Sequence, residues 1–494
     1  MTINWINILI LLFEIFSPMD FSNIKLVKVL QTFNTTELNR LEKFVRSPYF
    51  NVSESILGLF DIIYTAIREE KPSLLDKERV FEQLYPDKKY ADSRFRKLCS
   101  DLLKLTEEFL AIEQFKENPL HEASYLMQAI SNRRIAPLYN SVLKSARRLS
   151  DQQQEIAPSY YYYQYEIEKN YVNMMEAEFK REHRLNLEQI ARNLDYFFIA
   201  EKLRYLNTGL SQKRFVKQDY EFLFIDEILG HLEDHNYENI PQISINHTIY
   251  KVYETPEEDE HYFTLKSLIF KHLHHFPKMQ ARGIFLDATN FCVRRLNQGH
   301  QNFLKELFFL YKYAIENDIL LVNNEFSPWT FKNIVIVGLR LKEFEWTEKF
   351  IHNYSQYLNE KQRENAVTFN LARLYLYMGD YNKVLELLRA VEFDDISYNL
   401  GAKAMLLVTY YELDEIDALL SFLGSFRVFL NRKKNKLPEQ RRKNYINLIK
   451  YTQKLARLNP MNQESVRALK KEISEAGNIA DIKWLTEKVE ELEK

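Results

Sequence analysis

NAVTFNLARLYLYMGDYNKVLELL (Asn365 to Leu388) and NLGAKAMLLVTYYELDEIDALLSFL (Asn399 to Leu423) begin 34 residues apart and read as one pattern written twice. In the first, Leu371, Ala372 and Tyr375 fall on one helix, Gly379-Asp380-Tyr381 makes a turn, and Val384, Leu385 and Leu388 line the returning helix. The second carries Leu413-Asp414-Glu415 at the turn, then Ala418 at the expected helix crossing and Phe422 one turn later. A helical hairpin of this kind exposes an apolar face that it cannot bury alone, so neighbouring hairpins must stack.

This pattern resembles the tetratricopeptide repeat. Working outward, Phe285 to Leu296 pairs with Phe303 to Glu316 across Asn297-Gln298-Gly299. Trp329 to Leu341 pairs with Trp346 to Leu358 across Lys342-Glu343-Phe344, a turn 37 residues ahead of Gly379-Asp380-Tyr381. The resemblance is clearest over about 330 to 425. It implies an all-α fold, a right-handed helical-hairpin solenoid with an N-terminal helical bundle, whose groove is lined by the first helix of each hairpin. On that alignment Phe369, Asn370, Arg373 and Tyr377 line the groove, joined by Lys403 and Leu407 of the next hairpin. Family members that grip a C-terminal carboxylate do so with Lys and Asn at set positions; here Phe369 and Arg373 occupy two of them. Arg373 and Lys403 still favour an acidic peptide.

The composition points the same way. Ten glycines in 494 residues, no two closer than 16, leave no glycine-rich phosphate loop and no nucleophile elbow. Scarce glycine and proline, with abundant Leu, Lys, Glu, Tyr and Phe, favour long helices and short connections. Lys plus Arg (67) nearly balance Asp plus Glu (69), which argues against a surface built throughout to neutralise phosphate. Cys99 and Cys292 lie far apart and form neither a disulfide framework nor a zinc site, as expected in a reducing cytoplasm.

Four segments follow: 1–18 as a non-native or disordered start, 19–117 as an N-terminal helical domain, 118–280 as a middle helical region, and 281–494 as tetratricopeptide-like hairpins with capping helices. Trp5 to Phe16 is an apolar run of 12, short of the roughly 20 residues that span a bilayer, and the true chain is read as starting at Met19. Asn34 with Glu37 predicts a capping box, Ser53 a second helix start, and Asp76 to Tyr85 a third helix. Asp92 to Phe115 is the most regular helix, with a seam of Phe95, Leu98, Leu102, Leu105, Phe109 and Ile112.

The segment from Asp76 to Leu110 looks like the two core helices of winged-helix domains of bacterial transcriptional activators. That resemblance supplies the alternative function, a DNA-binding regulator contacting nucleic acid through Arg94, Arg96, Lys97 and Lys104. A winged helix needs a β-hairpin next, and no turn signal precedes Pro119.

Elsewhere the chemistry is sparse. Tyr160 to Tyr163 cannot all face one way, so some must sit between helices. Thr255-Pro256-Glu257-Glu258 is read as a helix start with a cap, a proline at the first position and acids at the positive dipole end. Arg432, Lys433, Lys434, Lys436, Arg441, Arg442 and Lys443 crowd around Pro438 without an aromatic to stack bases, and are read as a solvated loop. His272 with His275, and His231 with His235, are read as surface or partly packed rather than metal ligands. The final helix, Ala480 to Leu492, is expected to turn Ile482, Leu485 and Val489 inward. The expectation is a cytoplasmic, non-enzymatic protein without cofactor, metal or membrane span, whose partner is a protein.

Overall fold

The Asn34 side chain accepts a hydrogen bond from the Glu37 backbone N–H, and the Glu37 carboxylate accepts one from Asn34 N–H, so the first long helix starts with the capping box its sequence predicts. The computed structural model describes residues 20–152, 158–177, 185–213, 219–389 and 395–493. The expected start at 1–18 lies outside them. Among the described residues there are helices and isolated bridges such as Asp20 with Asp76, and no strand. The chain divides into two units, with the division between Phe198 and Ile199.

The first unit opens with α1 (Lys25–Leu30), α2 (Thr35–Val45), α3 (Glu54–Arg68), α4 (Lys77–Leu84) and α5 (Asp92–Glu117). Ser53 and Asp76 cap α3 and α4 by accepting from Ile56 and Arg79 N–H. The α5 seam buries Phe95, Leu98, Leu102, Leu105 and Phe109, with Ile112 half-buried. These residues close a core with Phe21, Leu41, Phe60 and Phe81. A second core follows from α6 (Pro119–Arg133), α7 (Tyr139–Asp151) and α8 (Pro158–Ala177), where Met127, Ile130, Ala146, Ile167 and Met174 meet. The tyrosine run alternates as a helix requires. Tyr161 and Tyr163 are buried, the Tyr163 hydroxyl is hydrogen-bonded to His121 Nε2, and Tyr162 stays exposed beside Phe197. Phe197 belongs to α9 (Leu187–Gln212).

The second unit contains α10 (Ile225–Asp234), α11 (Pro241–Glu254), α12 (Asp259–His272), α13 (Lys278–Asn297), α14 (Phe303–Glu316), α15 (Pro328–Arg340) and α16 (Phe344–Tyr354). It continues through α17 (Glu360–Met378), α18 (Tyr381–Leu388), α19 (Ile396–Glu412), α20 (Ile416–Arg432), α21 (Glu439–Ala456), α22 (Gln463–Ala476) and α23 (Ile482–Glu491). Helices next to one another in sequence pack together, and α17 also packs on α15 and on α19. One closing geometry recurs at four hairpins. Gly299, Lys342, Gly379 and Asp414 take φ of +100°, +62°, +77° and +58°. At each, that residue's N–H donates three residues back and the next N–H donates five back, as from Glu343 to Gly338 O at 2.9 Å and from Asp380 to Tyr375 O at 2.9 Å. This pair of bonds satisfies the last carbonyls of the first helix and fixes where the second begins.

Three local expectations need correction. Thr255 does not open a helix: its hydroxyl donates to Lys251 O at the end of α11, and α12 starts at Asp259. The acids there serve Arg295 instead, whose side chain is 7% exposed. Arg295 Nη1 donates to Glu257 Oε2 at 2.8 Å and to Gln298 at 3.1 Å. Its Nε lies 2.8 Å from Asp259 Oδ1, an ion pair off the N–H axis. In α20 the buried stripe is Leu419, Leu423, Phe426 and Leu430, with Ala418 and Phe422 on its flank. In α23, Ile482 is exposed and Trp484 turns inward beside Leu485 and Val489, its indole donating to Glu412 at 2.7 Å.

Candidate functional site

The first helices of the last hairpins bring together cations that lie far apart in sequence. Lys332 is on the first turns of α15, Arg373 on the last turns of α17 and Arg441 at the start of α21. Lys332 stands ten residues before the turn residue Lys342 and Arg373 six before Gly379, so their levels differ by about one helical turn. Each is partly open to solvent. Lys332 has its pKa lowered, first by burial and then by Arg373 and Arg441, which are close enough to repel it; Asp395 opposes them.

Arg373 is the centre of the cluster. Its guanidinium lies 4.9 Å from the centroid of the Phe369 ring, and Phe369 meets Tyr398 edge-on at 4.7 Å. Gly401 on α19 makes room: a Cβ there would stand 2.7 Å from the buried Phe369 ring. Burial lowers the Arg373 pKa, while Tyr377, Tyr445, Asp481 and Tyr398 act in the other direction. Its Nη1 is buried and has no hydrogen-bond partner among the described residues. Asp481 keeps contact with solvent, yet the protein around it raises its pKa, with Arg373 countering. Arg441 donates to Ser397 Oγ at 3.1 Å and borders Tyr445, whose phenol is pushed up by burial and held back by Arg441.

Of the residues expected in the groove, Phe369, Asn370 and Leu407 are buried by the chain's own helices and offer no surface to a ligand. Asn370 instead donates from Nδ2 to Ala366 O at 2.8 Å, a bond within α17. Tyr377 is exposed and near Arg373. Lys403 lies over the rings of Phe422 and Phe429 at 5.8 and 5.0 Å, on the side of its own hairpin. Lys332 was not singled out by sequence, and Arg441 was grouped with a loop whose neighbour Lys443 is paired with Glu439 at 2.8 Å. Only the stacking register of the hairpins unites them.

The residues of the DNA alternative, Arg94, Arg96, Lys97 and Lys104, are all exposed on α5. Arg96 is paired with Asp92 at 2.7 Å and Arg94 lies over Tyr85 at 5.7 Å. A helix, α6, begins two residues after α5 ends, where a wing would stand. Among the described residues, no three His, Cys, Asp or Glu side chains gather as metal ligands, and no helix is long and apolar enough to cross a membrane. His231 and His235 stack at 4.2 Å, with His231 hydrogen-bonded to the Tyr237 hydroxyl. A cavity of about 580 Å³ nearby is lined by His235, His247, Lys251, Lys271, Glu233 and Glu238, charges of both signs. Both cysteines are buried and reduced, and burial pushes their thiols up to about 12.

Comparison with protein-family models, with curated proteins and with solved structures gives no match.

Proposed function

We propose that the second unit is a tetratricopeptide-like, right-handed stack of hairpins that binds a segment of another protein along the face formed by its first helices, without catalysis. The observation that supports this reading is the cluster of Lys332, Arg373 and Arg441, contributed by three first helices and left partly open to solvent rather than neutralised pairwise. Charges held in this way are costly to a fold and useful to a binding site. The hairpin closures with their shared hydrogen-bond pattern, and the packing of α17 on both α15 and α19, are what such a stack requires. The DNA-binding alternative has four exposed cations in its favour but no wing.

A photo-crosslinking amino acid at Tyr377, with a control at exposed Glu386 on α18, tests the reading in the full chain. Irradiation in lysate is expected to give discrete protein adducts from position 377 and none from 386. Equal labelling at both, or protection of 377 by added duplex DNA, defeats it.

A further inference from the structure

We propose that α9 is a self-association surface, through which two copies of the chain pair as antiparallel helices. The proposal concerns a different helix from the binding face above and goes beyond that reading.

One side of α9 faces the core and buries Asn193, Ile199, Ala200, Leu203 and Asn207. The opposite side of such a helix is ordinarily polar. In α9 it carries Leu187, Leu194, Phe198 and Tyr205, each at least 40% exposed. With Ala191 and Glu201 between them, these positions advance by steps of four, three, four, three and four, the seam of a helix that lies along another helix. At about 100° per residue, all six fall within about 40° of one line.

The register of the seam names its occupant. Positions 187 and 205, 191 and 201, and 194 and 198 are symmetric about 196, so a second copy running the opposite way meets the seam along its whole length. Leu187 then packs on Tyr205 of the second copy, Leu194 on Phe198, and Ala191 stands opposite Glu201. Arg204 donates to both oxygens of Glu201, at 3.0 and 2.6 Å, and the small Ala191 leaves room for that pair. A parallel pairing would set Glu201 against its own copy instead.

Two-fold pairing also brings like flanks together. On one flank Glu188 comes level, within about 3 Å along the axis, with Lys202 of the second copy, and symmetry repeats the pair. Lys202 is an ammonium with three donors, one of which goes to Leu223 O at 3.0 Å. Asp195 meets its own copy on the same flank, the adverse contact of the pairing. On the other flank the half-buried Phe197 meets Phe197 of the second copy and adds apolar area.

Sedimentation equilibrium of the full chain over a dilution series is expected to show monomer and dimer exchanging in the micromolar range. Leu194→Asp buries a charge in two layers of the dimer and should weaken it by about 100-fold. Glu188→Lys and Lys202→Glu should each weaken it by about 10-fold, and the two together should restore it. Asp195→Asn should tighten it by about 3-fold. Cys99 and Cys292 are buried, so cysteines placed in the seam are the accessible thiols. Under mild oxidation a mixture of Leu187→Cys and Tyr205→Cys chains should cross-link. Neither should cross-link alone, because position 187 lies about 27 Å along the axis from its own copy. A chain that stays monomeric up to about 100 μM, a dimer indifferent to Leu194→Asp, or Leu187→Cys cross-linking to itself overturns the proposal. If Leu194→Asp melts below the dilute wild type, the charge reversal and the cysteine pair decide: absence of both rescue and mixed cross-link overturns it.

Discussion

Arg295 and its two acids are expected to respond unequally to substitution, because burial is unequal across the cluster. The arginine side chain is 7% exposed, whereas Glu257 is 69% and Asp259 35% exposed. Replacing both acids by Glu257→Gln and Asp259→Asn leaves a guanidinium charge inside the protein without a counter-charge, at a cost of about 3 kcal/mol. Replacing the arginine by methionine removes the buried charge itself, preserves much of the volume against Phe303, and frees two carboxylates that water already reaches. Its cost is expected to be about 1 kcal/mol. The triple variant should fall back to about the cost of Arg295→Met, a coupling of roughly 3 kcal/mol. Trp329, Trp346 and Trp484 all belong to the second unit, so urea unfolding followed by tryptophan fluorescence, in a Trp5→Phe background, monitors the unit that contains Arg295. If Arg295→Met costs as much as the double acid variant, or the effects simply add, the buried arginine is not what the acids are there to serve.

Two further outcomes follow from geometry and titration. Gly379→Ala forces a Cβ into a φ of +77° and should cost about 1 kcal/mol, whereas Lys342→Gly, at +62°, should be neutral or stabilising by up to about 1 kcal/mol. Opposite signs in the same urea assay are the check, and equal losses would contradict the shared closing geometry. His247 has its pKa lowered from 6.5 to about 4 by burial, then by Lys251 and His261. The unfolded chain therefore binds the extra proton between these values, and the contribution is complete above pH 6.5 and lost as pH falls through about 4. With allowance for its partial exposure the loss is about 2 kcal/mol, and His247→Gln should flatten that part of the stability profile. An unchanged pH dependence in His247→Gln would remove this histidine from the account.

Local signals were the legible ones. Asn34 with Glu37, Ser53, Asp76 and Gly379 act within four residues of themselves, and their caps and turn appear where the sequence places them. The α5 seam was equally plain, since steps of three and four along one helix need no knowledge of the partner. What escaped was non-local. Glu257 and Glu258 were read as the start of a helix, and only the packing of α12 on α13 shows that Glu257, together with Asp259, answers to an arginine nearly 40 residues later. Phe369 and Leu407 were assigned to a groove by alignment with a family pattern, yet a large apolar side chain between stacked first helices is buried by them. Arg373 was found by the same alignment, while Lys332 and Arg441 sit at different levels of their helices and no fixed period connects them.

The preference of each helix in the second unit for its neighbours in sequence bears on how the chain comes to exist at all. Contacts of short sequence separation need little loop closure before they form, so each hairpin can settle onto the one before it as synthesis proceeds. At the ribosome's pace of about 5–20 residues per second, a 35-residue hairpin takes some seconds to emerge, far longer than a helix needs to form. The newest hairpin then always presents the unfinished edge. The face shared by Lys332, Arg373 and Arg441 comes together late, when α21 and the Asp481 turn ahead of α23 arrive, so this cluster of cations exists only after the hairpins that flank it have been made.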